Sequence, residues 1–181
     1  MIGDTFDKTK VKPHSVDSYV DPVSNNVVIA SPSPSTEAQA IDIGNSLSCN
    51  YVYIDEFEHI KYPDRLIRAS IPVQRVVSVN AKRYGLNSCM VITSSVGKLS
   101  DKDCRRSLRV STHFVRWRLD MLDLPDNELL SYVAKHSDYN GVLVCFNYKE
   151  LGLDEKWFKH SCQLLGGIPE RIDRELLLRH I

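Results

Sequence analysis

Two short apolar runs, residues 50–57 and 89–92, stand on either side of a long stretch with helical spacing. Strand, helix, strand at this spacing is a crossover unit, which lays two strands side by side in parallel with a right-handed connection. The first run contains Val52-Tyr53-Ile54 and ends in Asp55-Glu56. Its apolar residues are bunched rather than alternating, which predicts a strand covered on both faces. The second run, Cys89-Met90-Val91-Ile92, ends in Thr93-Ser94-Ser95. The expectation is an α/β fold: a parallel sheet flanked by helices.

The rest of the chain fills in around that unit. Residues 1–26 are polar, with Pro13 and Pro22, and are expected to be irregular. Val27-Val28-Ile29-Ala30 reads as a buried strand, and Ser31-Pro32-Ser33-Pro34-Ser35 forces a loop. Ser35 or Thr36 caps a short helix running through about Asn45. Pro63 suits a first helical turn. That helix is expected to break near Pro72, with a second one ending at Gly85. Residues 101–123 and 125–137 read as charged helices, residues 142–148 as a fourth strand, and residues 154–165 and 168–180 as final helices. Trp157 reads as a core anchor. The chain divides into an N-terminal segment (1–26), a core with the acidic strand (27–99) and a helical C-terminal part (100–181).

Lys+Arg and Asp+Glu balance at 23 each, so wholesale electrostatic wrapping of nucleic acid is disfavoured. The five cysteines form no C-x-x-C pair, which argues against a disulfide scaffold and a zinc site. Cys89 and Cys145 are expected to be small buried residues. No apolar run approaches the roughly 18 residues of a membrane span. Residues 1–12 do not resemble a signal peptide, so a cytoplasmic location is expected.

The chemistry centres on Asp55-Glu56. Two acids in mid-strand would force one into the core at a cost of several kcal/mol. At the C-terminal edge of a parallel sheet both can face the crevice where ligands bind. There one acid can hold Mg²⁺ through its water shell, and the other can take a proton from an attacking water. The competing reading is a strand end that caps a turn. Thr93-Ser94-Ser95 carries the same pair of readings: hydroxyls that sense phosphate, or an ordinary Ser/Thr turn. A phosphate-cradling loop requires G-x-x-x-x-G-K-[ST]. Gly97-Lys98 is the only Gly-Lys pair, with Leu99 where a hydroxyl is needed and Ile92 at the first glycine position. It is not such a loop.

The ordered set of motifs resembles the large terminase subunit of tailed bacteriophages, over roughly residues 27–181. The residues that carry this are Tyr53-Ile54-Asp55-Glu56-Phe57, Ala69-Ser70-Ile71-Pro72, Asn80-Ala81-Lys82 with Gly85, and Ile92-Thr93-Ser94-Ser95. Tyr148-Lys149-Glu150-Leu151-Gly152-Leu153-Asp154-Glu155-Lys156-Trp157 is similar to the family's L-G-x-D-E-x-W segment, and Asp173-Arg174-Glu175-Leu176-Leu177 to its R-R-E-x-L-L. The resemblance implies a partial P-loop NTPase-type fold, with a catalytic glutamate after the acidic strand and a helical C-terminal lid. It implies ATP and Mg²⁺ as cofactors, with Asp55 the Mg²⁺-associated acid (the Walker B position), Glu56 the catalytic base, and Thr93, Ser94 and Ser95 a nucleotide-sensing coupling motif. The implied function is ATP-driven packaging of viral DNA into the prohead.

The resemblance also implies partners: an N-terminal ATPase segment or chain bearing the phosphate loop, the portal protein, the small terminase subunit and double-stranded viral DNA, in a ring oligomer with no membrane contact. The implied setting is the host cytoplasm, transiently at the prohead portal, and not the mature virion. The departures are Gly44-Asn45-Ser46 where the family has Gly-Arg-Gly, and Val96 where proline often follows the hydroxyls. The adenine-binding region, the phosphate loop and the nuclease acids have no counterpart in this sequence. The isolated chain is therefore expected not to hydrolyse ATP. A non-catalytic module that binds motor or portal components is the alternative, and a fragment of another motor such as a helicase a weaker one. Lys102, Arg105, Arg106, Arg109, Arg116 and Arg118 form a basic stretch, read either as contacts to DNA or motor subunits or as a solvated helix face. His59 is expected to be an exposed loop residue.

Overall fold

The computed structural model describes residues 18–20 and 27–180. The chain separates into two units, Met1–Ser33 and Pro34–Ile181. In the first, β1 (Ser18–Val20) pairs antiparallel with β2 (Val27–Ile29), Tyr19 opposite Val28. The expected buried strand is thus an exposed one, with all three β2 residues more than half accessible. Ser18–Val20 is a strand inside the segment expected to be irregular. The remainder of that segment lies outside the described residues.

The second unit is mixed α/β, with helix predominating. Helix α1 (Glu37–Ser46) starts where Thr36 accepts a hydrogen bond from the Gln39 N–H, a side-chain cap of the first turn. Strand β3 (Tyr51–Ile54) leads through a 3₁₀ turn (Phe57–His59) into helix α2 (Pro63–Arg83), and strand β4 (Cys89–Ile92) follows. β3 and β4 pair in parallel, Tyr51 opposite Cys89 and Ile54 opposite Ile92, so the crossover expected from the spacing is present.

Two expectations about the β3–α2–β4 crossover are corrected. β3 is covered on one face only: Val52 and Ile54 are buried, while Tyr51 and Tyr53 are about two-thirds exposed. Helix α2 does not break at Pro72 but runs on for 21 residues in all. Pro72 lies on the exposed side, where the carbonyl it leaves without a helical donor can bond to water. The opposite face is clamped by burial of Leu66, Ile67 and Ser70.

That face packs on α1. A Cβ on Gly44 would stand 2.5 Å from the Leu66 carbonyl oxygen and 2.7 Å from the Ala69 Cβ, so glycine is what allows the helices to approach. The core joins Ala40, Val52, Ile54, Phe57, Ile60, Leu66, Ile67 and Val110.

Helix α3 (Lys102–Ser111) starts on Asp101, whose carboxylate accepts the Asp103 N–H at 2.7 Å. It ends a dozen residues short of the expected 123. Ser111 and Thr112 turn their hydroxyls back onto the Leu108 and Arg109 carbonyls, and the β-branched and aromatic residues that follow favour extended backbone. Short strand β5 (Val115–Arg116) and a 3₁₀ turn (Leu119–Asp123) replace the rest of that helix. Helix α4 (Asp126–His136) forms as expected.

Strand β6 (Val142–Leu143) pairs in parallel with β5 but stops after two residues. Val144, Cys145 and Phe146 are exposed, and Asn147 closes a turn by accepting the Lys149 and Glu150 N–H groups. Among the described residues the strands form separate two-stranded sheets.

Helix α5 (Glu155–Leu164) is capped by Asp154, which accepts the Trp157 N–H at 2.7 Å. Trp157 is not a core anchor: it is 38% exposed and lies against Tyr148, which is the buried ring of the cluster. The expected helix over 168–180 is only a short helical turn, Pro169–Arg171, followed by a π turn, Ile172–Leu176. The Leu177 N–H bonds back to the Ile172 carbonyl, and Leu178 then takes a left-handed conformation, φ 52°, which ends the coil. No helix among the described residues is long and apolar enough to cross a membrane.

Candidate functional site

The parallel ladder continues past the strands. The Thr93 N–H donates to the Ile54 carbonyl at 2.9 Å and the Phe57 N–H to the Thr93 carbonyl at 3.0 Å, so the two polar strand ends are locked face to face. Each hydroxyl of Thr93-Ser94-Ser95 then engages the acidic segment. Thr93 donates from Oγ1 to Asp55 Oδ1 at 2.7 Å. The Tyr53 hydroxyl lies 2.8 Å from the same Oγ1 and 3.2 Å from Asp55 Oδ1. Ser94 Oγ accepts the Glu58 N–H at 2.8 Å. Ser95 donates to Glu56 Oε2 from both its hydroxyl, at 2.8 Å, and its N–H, at 3.2 Å.

Asp55 also receives the Glu56 N–H on Oδ1 at 3.0 Å, which leaves Oδ2 facing outward from an exposed residue. The Thr93 hydrogen bond, aided by the Glu56 N–H and Tyr53, holds the Asp55 carboxyl below its ordinary value and outweighs the opposing effect of partial burial. Glu56 sits at φ 51°, ψ 45°, the left-handed region. Such backbone is uncommon for a side chain without β-polar groups and persists only where its surroundings enforce it. Here the enforcing contacts are the Ser95 bonds and the His59 N–H, which donates to the Glu56 carbonyl at 2.8 Å.

Sequence reasoning named Asp55, Glu56, Thr93, Ser94 and Ser95, and the fold brings all five together. It underrated His59. That residue is exposed, as expected, but its Nε2 is 3.1 Å from Ser95 Oγ and 3.8 Å from Glu56 Oε2, so it belongs to the cluster. Glu58 was missed altogether. Its Oε2 accepts the Gly97 N–H at 2.7 Å, lies 3.5 Å from Cys104 Sγ and 3.0 Å from His180 Nε2. The E-x-E-H spacing in Glu56-Phe57-Glu58-His59 was the only sequence signal available for either residue.

Other expectations are corrected by the same geometry. Cys89 and Cys145 are exposed, and the buried cysteine is Cys104. Burial, with Glu58 beside it, pushes the Cys104 thiol up to about 11. Part of the basic stretch is engaged locally: Arg106 pairs with Asp103 at 2.7 Å, Arg118 with Asp120 at 2.8 Å, and Arg105 donates to the Leu99 carbonyl. Lys98 forms an ion pair with Glu170 at 2.7 Å.

Chemically, the cluster offers two exposed carboxylates just past β3, each accepting a hydrogen bond from a hydroxyl just past β4. This chain matches no protein-family model, no characterised protein and no solved structure.

Proposed function

We propose that this chain supplies the acidic half of an ATP-hydrolysing site in a viral DNA-packaging motor of the terminase large-subunit type. The observation that carries the reading is the pairing of the strand ends: Asp55 with Thr93 and Glu56 with Ser95, at the C-terminal edge of two parallel strands. Ligands in open α/β sheets bind at this edge.

Asp55 suits a hydrated Mg²⁺. Its donors converge on Oδ1 and keep it ionised, while the exposed side of the carboxylate is free for metal-bound water. Bound Mg-ATP would supply the scissile phosphate bond and the divalent charge that steadies phosphoryl transfer. The chain's own residues divide the remaining work. Glu56 holds Oε2 against Ser95 and can accept a proton from water on its other oxygen. Ser95 touches both Glu56 and His59, so movement at the end of β4 changes how Glu56 is aimed. Thr93 fixes Asp55.

The phosphate-gripping loop would come from another segment or chain. The open face of β3 and β4, carrying Tyr51, Tyr53 and Val91 beside the acids, is the surface such a piece would cover. Portal protein, small terminase subunit, viral DNA and a ring oligomer follow as partners on the same reading, with the helical segment from α5 onward as the lid.

The test is ATP hydrolysis by this chain mixed with a candidate phosphate-loop segment. Turnover is expected only in the mixture, and Glu56→Gln is expected to abolish it. A clean complex whose turnover ignores Glu56→Gln sinks the catalytic assignment, and Glu56-dependent turnover by the isolated chain sinks the requirement for a second piece. A second reading, a binding module without hydrolysis, is favoured by the Lys98–Glu170 pair, which engages the lysine of the only Gly-Lys step. Tight calorimetric binding of Mg-ATP to the isolated chain would count against it.

A further inference from the structure

Glu58, Cys104 and His180 reach one point from three distant parts of the chain. Their ligating atoms all lie within 4.8 Å of one another. Glu58 comes from the 3₁₀ turn after β3, Cys104 from the first turn of α3, and His180 from beyond the terminal π turn. Cys104 is 1% exposed. The Glu58 carboxylate is aimed by the Gly97 N–H at 2.7 Å, an outer contact of the kind that orients metal ligands. His180 is delivered by the left-handed Leu178 and by the Arg179 N–H, which bonds the Asp173 carbonyl at 2.8 Å.

We propose that these three side chains form a site for a divalent transition metal, with Zn²⁺ the ion their donors favour. A thiolate, an imidazole and a carboxylate are a zinc-type set, whereas Mg²⁺ takes oxygen donors and is poorly served by sulfur. Usual zinc–ligand lengths in a tetrahedron put ligand atoms about 3.3–3.6 Å apart. The two pairs that share Glu58 Oε2 lie close to that spacing, Cys104 Sγ at 3.5 Å and His180 Nε2 at 3.0 Å, with all three atoms within 4.8 Å.

As the sulfur–metal bond forms, the Cys104 S–H proton leaves to solvent. His180 Nε2 and a Glu58 carboxylate oxygen make the other two bonds, and nothing is oxidised or reduced. The fourth position opens on a cavity of about 400 Å³ lined by Lys98, Ser100, Asp101 and Arg174, where water completes the shell. Gly97 leaves the room: a Cβ there would stand 2.8 Å from Cys104 Sγ and 3.2 Å from Glu58 Oε2. The metal staples the terminal turn to the acidic strand end. The site stands independently of the nucleotide reading.

The test uses the full chain, stripped with a chelator and titrated with Co²⁺ as a spectroscopic probe. A thiolate-to-cobalt charge-transfer band is expected, saturating at a single equivalent and displaced by Zn²⁺. Cys104→Ser abolishes the band, while Cys89→Ser and Cys145→Ser retain it. His180→Ala removes a direct ligand and lowers affinity by at least the roughly tenfold that loss of an outer-shell partner costs. Circular dichroism checks each variant's fold. Should Cys104→Ser fail to fold, the affinity of His180→Ala decides alone. Absence of the band at excess cobalt, its survival in Cys104→Ser, or unchanged affinity in His180→Ala overturns the site.

Discussion

Glu56 and Glu58 are near neighbours in sequence and occupy opposite surroundings. The Glu56 side chain is 55% exposed and rests on Ser95, with His59 Nε2 3.8 Å away, at the open end of two strands. The Glu58 side chain is 16% exposed and sits among Gly97, Cys104 and His180. The left-handed backbone at Glu56 and the 3₁₀ turn behind it swing the two carboxylates apart. An outward acid with one light tether is available for chemistry. An inward acid that collects three donors holds structure together, or a metal. One short segment therefore presents two acids in opposite settings, and the turn conformation separates them.

The largest expected effect undercuts both acids equally. Ile67 is fully buried in the core beneath β3. Ile67→Ala is expected to cost about 2–5 kcal/mol in denaturant unfolding, by lost burial and a residual cavity. A cost under about 1 kcal/mol would mean that the α1–α2 interface carries less of the fold than its burial indicates.

A sharper comparison sets the acids against each other. Glu58→Ala leaves the Gly97 N–H and its neighbours without an acceptor, which should cost about 1–3 kcal/mol. Glu56→Ala, at an exposed position, should stay within about 0.5 kcal/mol. Equal effects from the two would erase the distinction.

The strain at Glu56 gives a finer test. Left-handed backbone costs an ordinary residue roughly 1–2 kcal/mol, of which glycine's extra chain entropy returns part. Glu56→Gly should therefore raise stability by about 0.5 kcal/mol while removing any Glu56-dependent turnover. A loss of stability instead would show that the Ser95 bonds outweigh the strain.

How much was legible follows the same division. The acidic strand, its parallel partner and the hydroxyls beyond them are local features. Burial pattern and turn chemistry near each residue mark them, and Thr93 faces Asp55 because the strand register is fixed by Ile54 and Ile92. Glu58 meets Cys104 and His180 across sequence separations of 46 and 122, which no periodicity encodes. The continuous helix through Pro72 was missed because packing on α1 outweighs the proline's lost hydrogen bond. The early ends of α3 and β6 were missed because Ser111, Thr112 and Asn147 turn their side chains onto the backbone, a choice that depends on local geometry.

The smallest effect concerns the terminal turn, which reaches the acidic region through His180–Glu58 and through Lys98–Glu170. The Lys98 hydrogen bond, then its charge, holds the Glu170 carboxyl below its ordinary value of 4.5. A carboxyl lowered in the folded state adds stability above the unfolded value, and that stability is lost as pH falls through the folded one. Lys98→Met should therefore move the Glu170 titration up toward 4.5 and remove this contribution at neutral pH. Both side chains are about half exposed, so the difference between wild type and variant should shrink as salt is added. Carboxyl-resolved NMR titration at low and high salt measures it. If Glu170 titrates identically in both proteins, the lysine pair does not hold in solution, and the terminal turn is positioned by His180 and Glu58 alone.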